Sequence, residues 1–574
     1  MAKGSSSDLA AKRLRLVVAA ASMGTALEWY DFFVFGSLAS VITDRFTGGS
    51  GNAGFIFTLG AFAAGFVVRP FGALFFGRMG DRLGRKRAFL VTITLMGAAT
   101  VGIGLLPTMA RVGLLAPALL VAMRVLQGFA MGGEYGGAAV YVAEHARPDR
   151  RGFLTSWIQI TAAIGVVLAV GTVLGTRVLV GEEALLRWGW RVPFVLSAVL
   201  LGVSLWTRLK LEESPIFRRM QEAQAIARAP VAEAFRGSNL RRMLTALVCI
   251  LFAQGAVWYA GHFYVQFFLE RVLKVDPRIG NRVVMVSVLL SAAGYVFFGW
   301  LSDRIGRKPV MLFGMIASAA LYIPGFHALT AYANPALEAA ARRAPVSVVA
   351  DAMECHFQFD LLGRAAFGSS CDVARRILSE AGVPYRNVPA GSGSVAQIRV
   401  GERTVASKSL AGLGPQQAAM ERARVGNEVL AALSDAGYPR SAAETDVREG
   451  PIIAILLLFL LASTALYGPQ AAALVELFPS RVRYTALSVP YNIGTGWVGG
   501  LLPVTAFAIV AATGDIYSGL QYPLVFTVIG IVATLWLFPE TAGRPLADSS
   551  DEGAAAAMAS GLMRSRQWGL KWTR

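Results

Sequence analysis

Long apolar runs separated by short polar loops occupy most of the chain. A helix needs about 20 mostly apolar residues to cross a bilayer, and the chain has twelve such runs, which we number spans 1 to 12. They cover residues 16–42, 53–75, 89–106, 114–142, 153–179, 190–209, 243–269, 282–301, 310–331, 452–474, 485–512 and 522–539. The pattern predicts an all-α membrane protein with twelve transmembrane helices.

One stretch between spans 9 and 10, residues 333–450, contains no run long enough to cross a membrane. Its alternating and periodic segments predict strands at 346–350, 397–400 and 404–406, and helices at 372–381 and 415–433. We expect Asp372 to cap the first helix and Gly382 to end it. The stretch is therefore predicted to form a small α/β insert. Its role stays open between a lid, a binding aid and a docking surface.

Basic residues are concentrated in one set of loops. Only 16% of the residues are charged, which excludes an ordinary soluble enzyme, yet the formal net charge is +18. Loops on one side of the predicted membrane hold 29 Lys and Arg, those on the other side hold 6, and the insert is neutral. Since cytoplasmic loops are enriched in Lys and Arg, the net charge indicates membrane orientation and not a nucleic-acid partner.

This orientation places both termini in the cytoplasm and the insert outside, in a multi-pass protein of the inner (plasma) membrane. The predicted parts are a cytoplasmic N-tail 1–15, a six-helix bundle 16–209, a cytoplasmic central loop 210–242, spans 7–9 at 243–331, the insert 333–450, spans 10–12 at 452–539 and a cytoplasmic C-tail 540–574.

A loop motif occurs twice, at a constant offset of 222 residues. Residues 77–87 (GRMGDRLGRKR) follow span 2, and residues 299–309 (GWLSDRIGRKP) follow span 8. The chain is therefore predicted to form two similar six-helix halves, which is a transporter architecture. The Asp of each copy can accept hydrogen bonds from a helix N-terminus or pair with Arg. We expect a cytoplasmic gate built from Gly77, Asp81, Arg82, Arg85, Lys86, Gly299, Asp303, Arg304, Arg307 and Lys308.

Further motifs follow in order along the membrane part. They are 28–33 (EWYDFF), 69–72 (RPFG), 127–136 (QGFAMGGEYG), 188–194 (WGWRVPF), 212–215 (EESP), 476–484 (ELFPSRVRY) and 539–541 (PET). With the doubled loop motif, the chain resembles the major facilitator superfamily, and within it the metabolite:proton symporters that include shikimate, α-ketoglutarate and proline/betaine permeases. The resemblance does not extend to the insert. It implies a transporter and not an enzyme, driven by the proton gradient without a cofactor.

Three acidic residues lie inside the spans, where a charge is costly and usually functional: Glu28, Asp31 and Glu134. These are the candidates for proton coupling. Glu28 and Asp31 share one face of span 1 and lie roughly 18–22 Å into the membrane, with Arg124 about 15 Å deep from the other side. We therefore expect Asp31, with or without Glu28, to pair with Arg124.

Proton coupling would work by competition within this pair. Low dielectric favours the neutral form of a carboxyl group, so protonation would release Arg124 to bind a substrate carboxylate. The alternative is a permanent ion pair. Glu134 is either a second proton site or, as we favour, the partner of Arg69 in a structural pair. The remaining arginines, Arg177, Arg191, Arg208 and Arg282, lie near span ends and are expected to reach the interface.

Polar and aromatic side chains at mid-depth are the candidates for a ligand wall, although interhelical hydrogen bonds would explain many of them equally well. The substrate-binding candidates are Arg124, Tyr30, Gln127, Gln159, Gln254, Tyr259, His262, Tyr491 and Asn492. A lone His such as His262 is more often a packing residue than a ligand.

The insert carries two of the three cysteines. Because it is expected to face an oxidising compartment, Cys355 and Cys371 can form a disulfide; two free thiols are the alternative. The spacing of Cys355, His356 and Cys371 is not a zinc pattern, so we expect no metal, and the insert shows no nucleophile–base arrangement.

The implied function is proton-coupled import of a small organic acid by alternating access. Alternatives are uptake of a zwitterionic osmolyte such as proline or betaine, export by the same fold and, more remotely, a receptor or enzyme acting through the insert. The chain has no phosphate-binding Gly-Lys-Ser/Thr loop, which disfavours an ATP-driven pump. The expected partners are a small solute, protons and the lipid bilayer around a monomer, with no nucleic acid.

Overall fold

The computed structural model describes residues 2–47, 51–359 and 367–546. Parts of the predicted tails and insert, at residue 1, 360–366 and 547–574, lie outside the described residues. The principal helices, numbered in chain order, are α1 Ala2–Ser37, α2 Gly51–Leu83, α3 Arg85–Leu105, α4 Leu115–His145, α5 Arg151–Val180, α6 Arg191–Leu209, α7 Gly237–Val272, α8 Pro277–Ile305, α9 Arg307–Ala333, α10 Pro335–Arg343, α11 Ser370–Ala381, α12 Pro415–Asp435, α13 Glu449–Leu477, α14 Arg483–Thr513 and α15 Ser518–Leu537.

Ten of the helices in the described part, α3–α9 and α13–α15, are long and apolar enough to cross a membrane. Sequences that are apolar around the whole helix suit lipid on one face and neighbouring helices on the other. The fold is therefore mostly helical, as predicted, while twelve spans remain a prediction. Short helices at Ala39–Thr47, Met109–Val112, Pro215–Glu222 and Pro230–Ala234 connect or flank the long ones.

Glycines set both the helix breaks and the closest helix contacts. Gly84 and Gly306, with φ of 111° and 103°, separate α2 from α3 and α8 from α9 in the two copies of the loop motif. This positive φ is a conformation that L side chains avoid. Within the first six helices α2 crosses α4, where a Cβ on Gly128 would lie 2.0 Å from the carbonyl oxygen of Gly65.

The two halves of the molecule, the helices α1–α6 and the helices from α7 onwards, meet through two equivalent pairs. One is α2 with α14, and the other is α5 with α8. In the second pair a Cβ on Gly299 would lie 2.5 Å from Cβ of Ser156. The Gly that opens each loop motif therefore lies at a cross-half contact, because Gly77 would similarly place a Cβ 2.7 Å from Cα of Thr485.

The segment between α9 and α13 contains a four-stranded sheet. Its strands are β1 Val346–Ala350, β2 Tyr385–Pro389, β3 Gln397–Val400 and β4 Arg403–Ala406, in the order β2-β1-β3-β4. β1 is parallel to β2 and antiparallel to β3, which is antiparallel to β4. Helices α11 and α12 confirm the two predicted helices, and β2 was missed from the sequence.

One predicted cap in this segment is wrong. The side chain of Ser369, not Asp372, caps α11 by accepting a hydrogen bond from the backbone N of Asp372 at 3.0 Å. The buried Asp372 carboxylate instead accepts from His356. Gly382 ends the helix in the left-handed conformation with φ of 72°, as predicted.

The α/β segment packs on the ends of α7 and α14. Gly382 lies so close to α7 that a Cβ there would approach the carbonyl oxygen of Val272 to 2.3 Å. Tyr385 Oη donates to the carbonyl of Ala511 at 2.5 Å, and Asn387 Nδ2 donates to that of Ala512 at 3.0 Å. We call this end of the helices the insert end, and the opposite end, where both loop motifs lie, the loop-motif end.

Candidate functional site

Asp31 and Arg124 meet inside the first six helices, as the sequence predicts. Arg124 Nη1 lies 3.0 Å from Asp31 Oδ2 and 2.8 Å from Gln127 Oε1. Gln127 Nε2 in turn donates to Asp31 Oδ1 at 2.8 Å and to Thr100 Oγ1 at 2.9 Å. The guanidinium also stacks 3.5 Å from the ring centre of Phe35. All of these polar groups are buried, so the pair sits in a buried hydrogen-bonded network.

A second ion pair, Glu28 with Arg69, lies closer to the other half. Arg69 Nη2 is 3.3 Å from Glu28 Oε1, and both residues are 7% exposed. The Arg69 guanidinium lies 4.6 Å from the ring centre of Phe66, and its Nε has no hydrogen-bond partner among the described residues. A Cβ on Gly496 of α14 would lie 3.8 Å from Arg69 Cδ. Arg69 therefore faces the boundary between the halves with an unused donor.

This placement corrects two predictions. The expected structural pair of Arg69 with Glu134 does not form, because Glu134 pairs with Arg208 of α6. Arg208 is buried and not at the interface: Nη1 donates to the carbonyl of Phe89 at 2.6 Å. Glu134 also accepts from Thr92 Oγ1 at 2.8 Å. Its two buried partners, Thr92 and Arg208, come from α3 and α6, so Glu134 links helices within the first half.

Aromatic rings from both halves meet around Phe66, whose ring lies against Arg69: Phe32 of α1 and Tyr259 of α7 lie 5.7 and 6.1 Å from it between ring centres. Trp29 of α1 lies 4.7 Å from Trp258 of α7 between ring centres, and Trp258 stacks on His262 at 4.3 Å. Towards the loop-motif end, Tyr135 stacks on Tyr491 at 3.8 Å.

The second aromatic group is held by hydroxyl contacts. Tyr467 and Tyr491 share a hydrogen bond of 2.9 Å between their hydroxyls, and Gln159 Nε2 donates to Tyr135 Oη at 3.0 Å. Sequence reasoning missed Tyr135, although it selected Tyr259 and Tyr491 in similarly apolar helices.

The other substrate-binding candidates have different surroundings. Tyr259 packs against Phe66 near Arg69 and so belongs to the aromatic group. Asn492 bridges the halves through the carbonyl of Gly132 at 2.8 Å. Gln254 is buried. Tyr30 contradicts its prediction: it points into the first half, where Oη donates to the carbonyl of Pro193 at 2.6 Å.

At the loop-motif end, each predicted gate Asp binds the helix N-terminus of the opposite half. Asp81 accepts from the backbone N of Tyr484 at 3.1 Å and from the N and Oγ1 of Thr485 at 2.9 and 2.8 Å. Asp303 accepts from the backbone N of Gly152 and Phe153 at 2.8 and 2.7 Å. The two contacts are equivalent under the repeat and join the two halves at this end of the bundle.

The gate arginines and lysines divide into three pairs with different surroundings. Arg85 and Arg307 are buried and pair with Asp81 and Asp303 at 3.0 and 2.7 Å. Lys86 and Lys308 donate to the carbonyls of Leu209 and Leu535, in the last turns of α6 and α15. Arg82 and Arg304 are exposed, contrary to the predicted gate role; within the part of the chain that the structure describes, the motif arginines with a carboxylate within reach are the buried Arg85 and Arg307.

A second pair of repeated residues, Glu and Arg, also joins the two halves at this end. Glu144 and Arg151 stand seven positions apart, as do Glu476 and Arg483. They pair crosswise: Arg483 Nη1 lies 3.0 Å from Glu144, and Arg151 Nη1 lies 3.4 Å from Glu476. A scan for the doubled Glu-x6-Arg spacing would have found these four residues, which the sequence reasoning did not place in the gate.

Two cysteines of the α/β segment, Cys355 and Cys371, form a disulfide. Within the described part of the chain, no group of three or more His, Cys, Asp or Glu side chains is arranged to hold a metal ion.

Comparison with known proteins agrees with this architecture. The sugar (and other) transporter family model matches residues 17–238 and 435–551. The transporter OusA of Dickeya dadantii, named for glycine betaine, proline, ectoine and pipecolic acid, is 27% identical over 93% of this chain and 85% of its own.

Two further relatives match a shorter part. The proline/betaine transporter of Salmonella typhimurium is 34% identical over 55% of this chain and 64% of its own. The shikimate transporter of Escherichia coli is 35% identical over 56% of this chain and 74% of its own.

Solved structures support the fold. The proton:xylose symporter XylE bound to 6-bromo-6-deoxy-D-glucose superposes with a TM-score of 0.60 at 14% identity, covering 93% of this chain and 98% of XylE. Family match, relatives and fold agree on a membrane transporter and not an enzyme. The chain belongs to the sugar (and other) transporter family of the major facilitator superfamily.

Proposed function

We propose that the protein is a proton-coupled symporter that imports a small zwitterionic carboxylate of the proline and betaine class. The observation that carries this proposal is the position of Arg69 and its unused Nε beside aromatic rings of α1 and α7. Such a site offers a guanidinium to a carboxylate and aromatic faces to an ammonium group, which cation–π attraction recognises. The names of two matched relatives support the same solute class.

The two ion pairs would have separate roles, one in substrate binding and one in proton coupling. Arg69 would bind the substrate carboxylate, in competition with Glu28. Asp31 would carry the coupling proton, because protonation removes its charge from Arg124 and loosens the tie between α1 and α4. The Gln127 and Thr100 contacts would hold Arg124 in place while Asp31 changes its protonation state. No cofactor is required, since the proton gradient supplies the free energy.

The membrane placement is part of the proposal. We place the protein in the inner membrane as a monomer, with the loop-motif end in the cytoplasm and the α/β insert outside, following the distribution of Lys and Arg. Glu134 is proposed to be structural.

A second candidate is import of an organic acid such as shikimate. It is favoured by the match to the shikimate transporter and uses the same Arg69 site without the ammonium contact. The two candidates differ in what the aromatic rings contribute, because a neutral ring face attracts a cation and not a hydroxyl-bearing ring acid.

The test is solute uptake into proteoliposomes with an acidic exterior. Betaine and proline are compared with shikimate and α-ketoglutarate, each with and without the pH gradient. We expect pH-driven accumulation of betaine or proline; accumulation of shikimate alone supports the second candidate, and gradient-independent uptake of every solute contradicts symport.

Matched variants separate the roles. Asp31→Asn should permit exchange but abolish pH-driven accumulation, and Arg69→Gln should weaken binding at either pH. The controls are Asp44→Asn and Arg111→Gln, which change the same side chains at exposed positions. Retained pH-driven accumulation in Asp31→Asn refutes the coupling role of Asp31.

A further inference from the structure

The insert contains a disulfide at the start of a β-α-β unit. β1 and β2 are parallel, and α11 connects them. Cys355 follows the carboxyl end of β1, while Cys371 lies in the first turn of α11; their Cα atoms are 5.2 Å apart. The bond therefore bridges the passage from the strand to the helix N-terminus. Thioredoxin-type proteins also combine a β-α-β unit with paired cysteines of altered reactivity.

The two cysteines differ in exposure. Cys371 is 0% exposed, whereas Cys355 is only partly buried. Cys371 also lies two positions after the capping Ser369, where the helix dipole stabilises a thiolate. An incoming thiolate can therefore reach Cys355, and Cys371 is the better leaving group.

Other contacts hold the two cysteine-bearing segments together without the covalent bond. The backbone N–H of His356 donates a hydrogen bond to the Asp372 carboxylate at 2.9 Å, and His356 Nδ1 lies 2.8 Å from the same carboxylate. Ser369 Oγ donates to the carbonyl of Glu354 at 2.5 Å. Opening the disulfide would leave this frame in place, so the two thiols would remain near each other and could close again.

We propose that Cys355–Cys371 is a reactive disulfide that exchanges with dithiols, which makes the insert a redox module on the transporter. A substrate thiolate attacks Sγ of Cys355, the S–S bond breaks, and Cys371 leaves as a thiolate that takes up a proton. The second thiolate of the substrate attacks the mixed disulfide and releases Cys355, which is protonated in turn. The dithiol is oxidised to a disulfide, and the insert is reduced to two thiols.

The first test uses the full chain with the buried Cys249 replaced by Ala, so that only the insert cysteines react. Cys371→Ser and Cys355→Ser are matched single-thiol variants. Each is incubated with oxidised glutathione, and its mass is followed by intact-protein mass spectrometry. We expect Cys371→Ser to gain one glutathione about 100-fold faster than Cys355→Ser, because exchange depends on access to the sulfur. Equal rates, or faster reaction in Cys355→Ser, would overturn the proposal.

A second test does not depend on the folding of either variant. The folded Cys249→Ala chain is treated with dithiothreitol and alkylated, and the number of alkylated cysteines is counted by mass spectrometry. Hydrogen exchange of α11 is followed in parallel. We expect both insert cysteines to be alkylated while α11 keeps its protection. Reduction that occurs only in denaturant, or that removes the protection of α11, identifies a purely structural disulfide and refutes the proposal.

Discussion

Replacing Asp81 by Asn should open the loop-motif end of the transporter. The carboxylate accepts three hydrogen bonds from the start of α14, at 2.8 to 3.1 Å, and one from Arg85. Asn keeps one accepting oxygen, so at least one charge-assisted bond across the halves is lost. Such a bond contributes about 1.5–3 kcal/mol, which corresponds to a shift of about 10- to 150-fold towards the state open at this end.

The shift can be measured by thiol accessibility. Ser488 of α14 is buried three residues after Thr485, which binds Asp81, and its Oγ occupies the space next to Gly136. In a Ser488→Cys, Cys249→Ala background, we expect Asp81→Asn to raise the alkylation rate at position 488 about tenfold or more. Asp149→Asn, at an exposed position of the same end, should leave the rate unchanged.

The repeat supplies a further check. Asp303→Asn should produce a similar increase, because Asp303 makes the equivalent contacts to the start of α5. An unchanged alkylation rate in both variants would refute the idea that these contacts stabilise the closed end.

Two more predictions concern the core and the insert. Glu134→Gln should lower the free energy of unfolding by about 3–5 kcal/mol, because Arg208 is left as an uncompensated buried charge. Thermal unfolding should show that the Glu134→Gln, Arg208→Met double variant regains stability. If Glu134→Gln is as stable as the wild type, the prediction is wrong. The backbone N–H groups of Gly393 and Met353 hold the pKa of Asp351 below its usual range, so this carboxylate stabilises the insert above the ordinary aspartate pKa and the contribution is lost as pH falls. Asp351→Asn should therefore speed amide exchange of Gly393 at neutral pH, and this effect should shrink progressively as pH falls below the usual aspartate pKa; an effect that stays the same size across this range contradicts the assignment.

The ion pairs show which parts of a site can be predicted from sequence. Asp31 and Arg124 were matched because the helix rise gave both a similar depth. The same reasoning failed for Arg208, since distance from a span end does not reveal whether the side chain turns towards lipid or towards Glu134. That choice depends on how α6 packs against α4, which periodicity along one helix does not encode.

The insert shows the same division. Strands β1 and β3 alternate between buried and less buried positions, and this alternation is visible in the sequence. β2 buries only its first residue, Tyr385, and leaves the next four exposed. An edge strand of this kind carries no period-two signal, so it could be found only from its pairing with β1.

The ends of the insert have a consequence for the evolution of the chain. The backbone N of Arg448 donates to the carbonyl of Tyr332 at 2.9 Å, so the point where the chain leaves the membrane helices adjoins the point where it returns. A segment of more than a hundred residues therefore replaces what a short turn could connect. Domains joined through neighbouring ends can be gained, lost or exchanged without shifting the register of the flanking helices, which makes this turn a natural site for grafting other extramembrane modules.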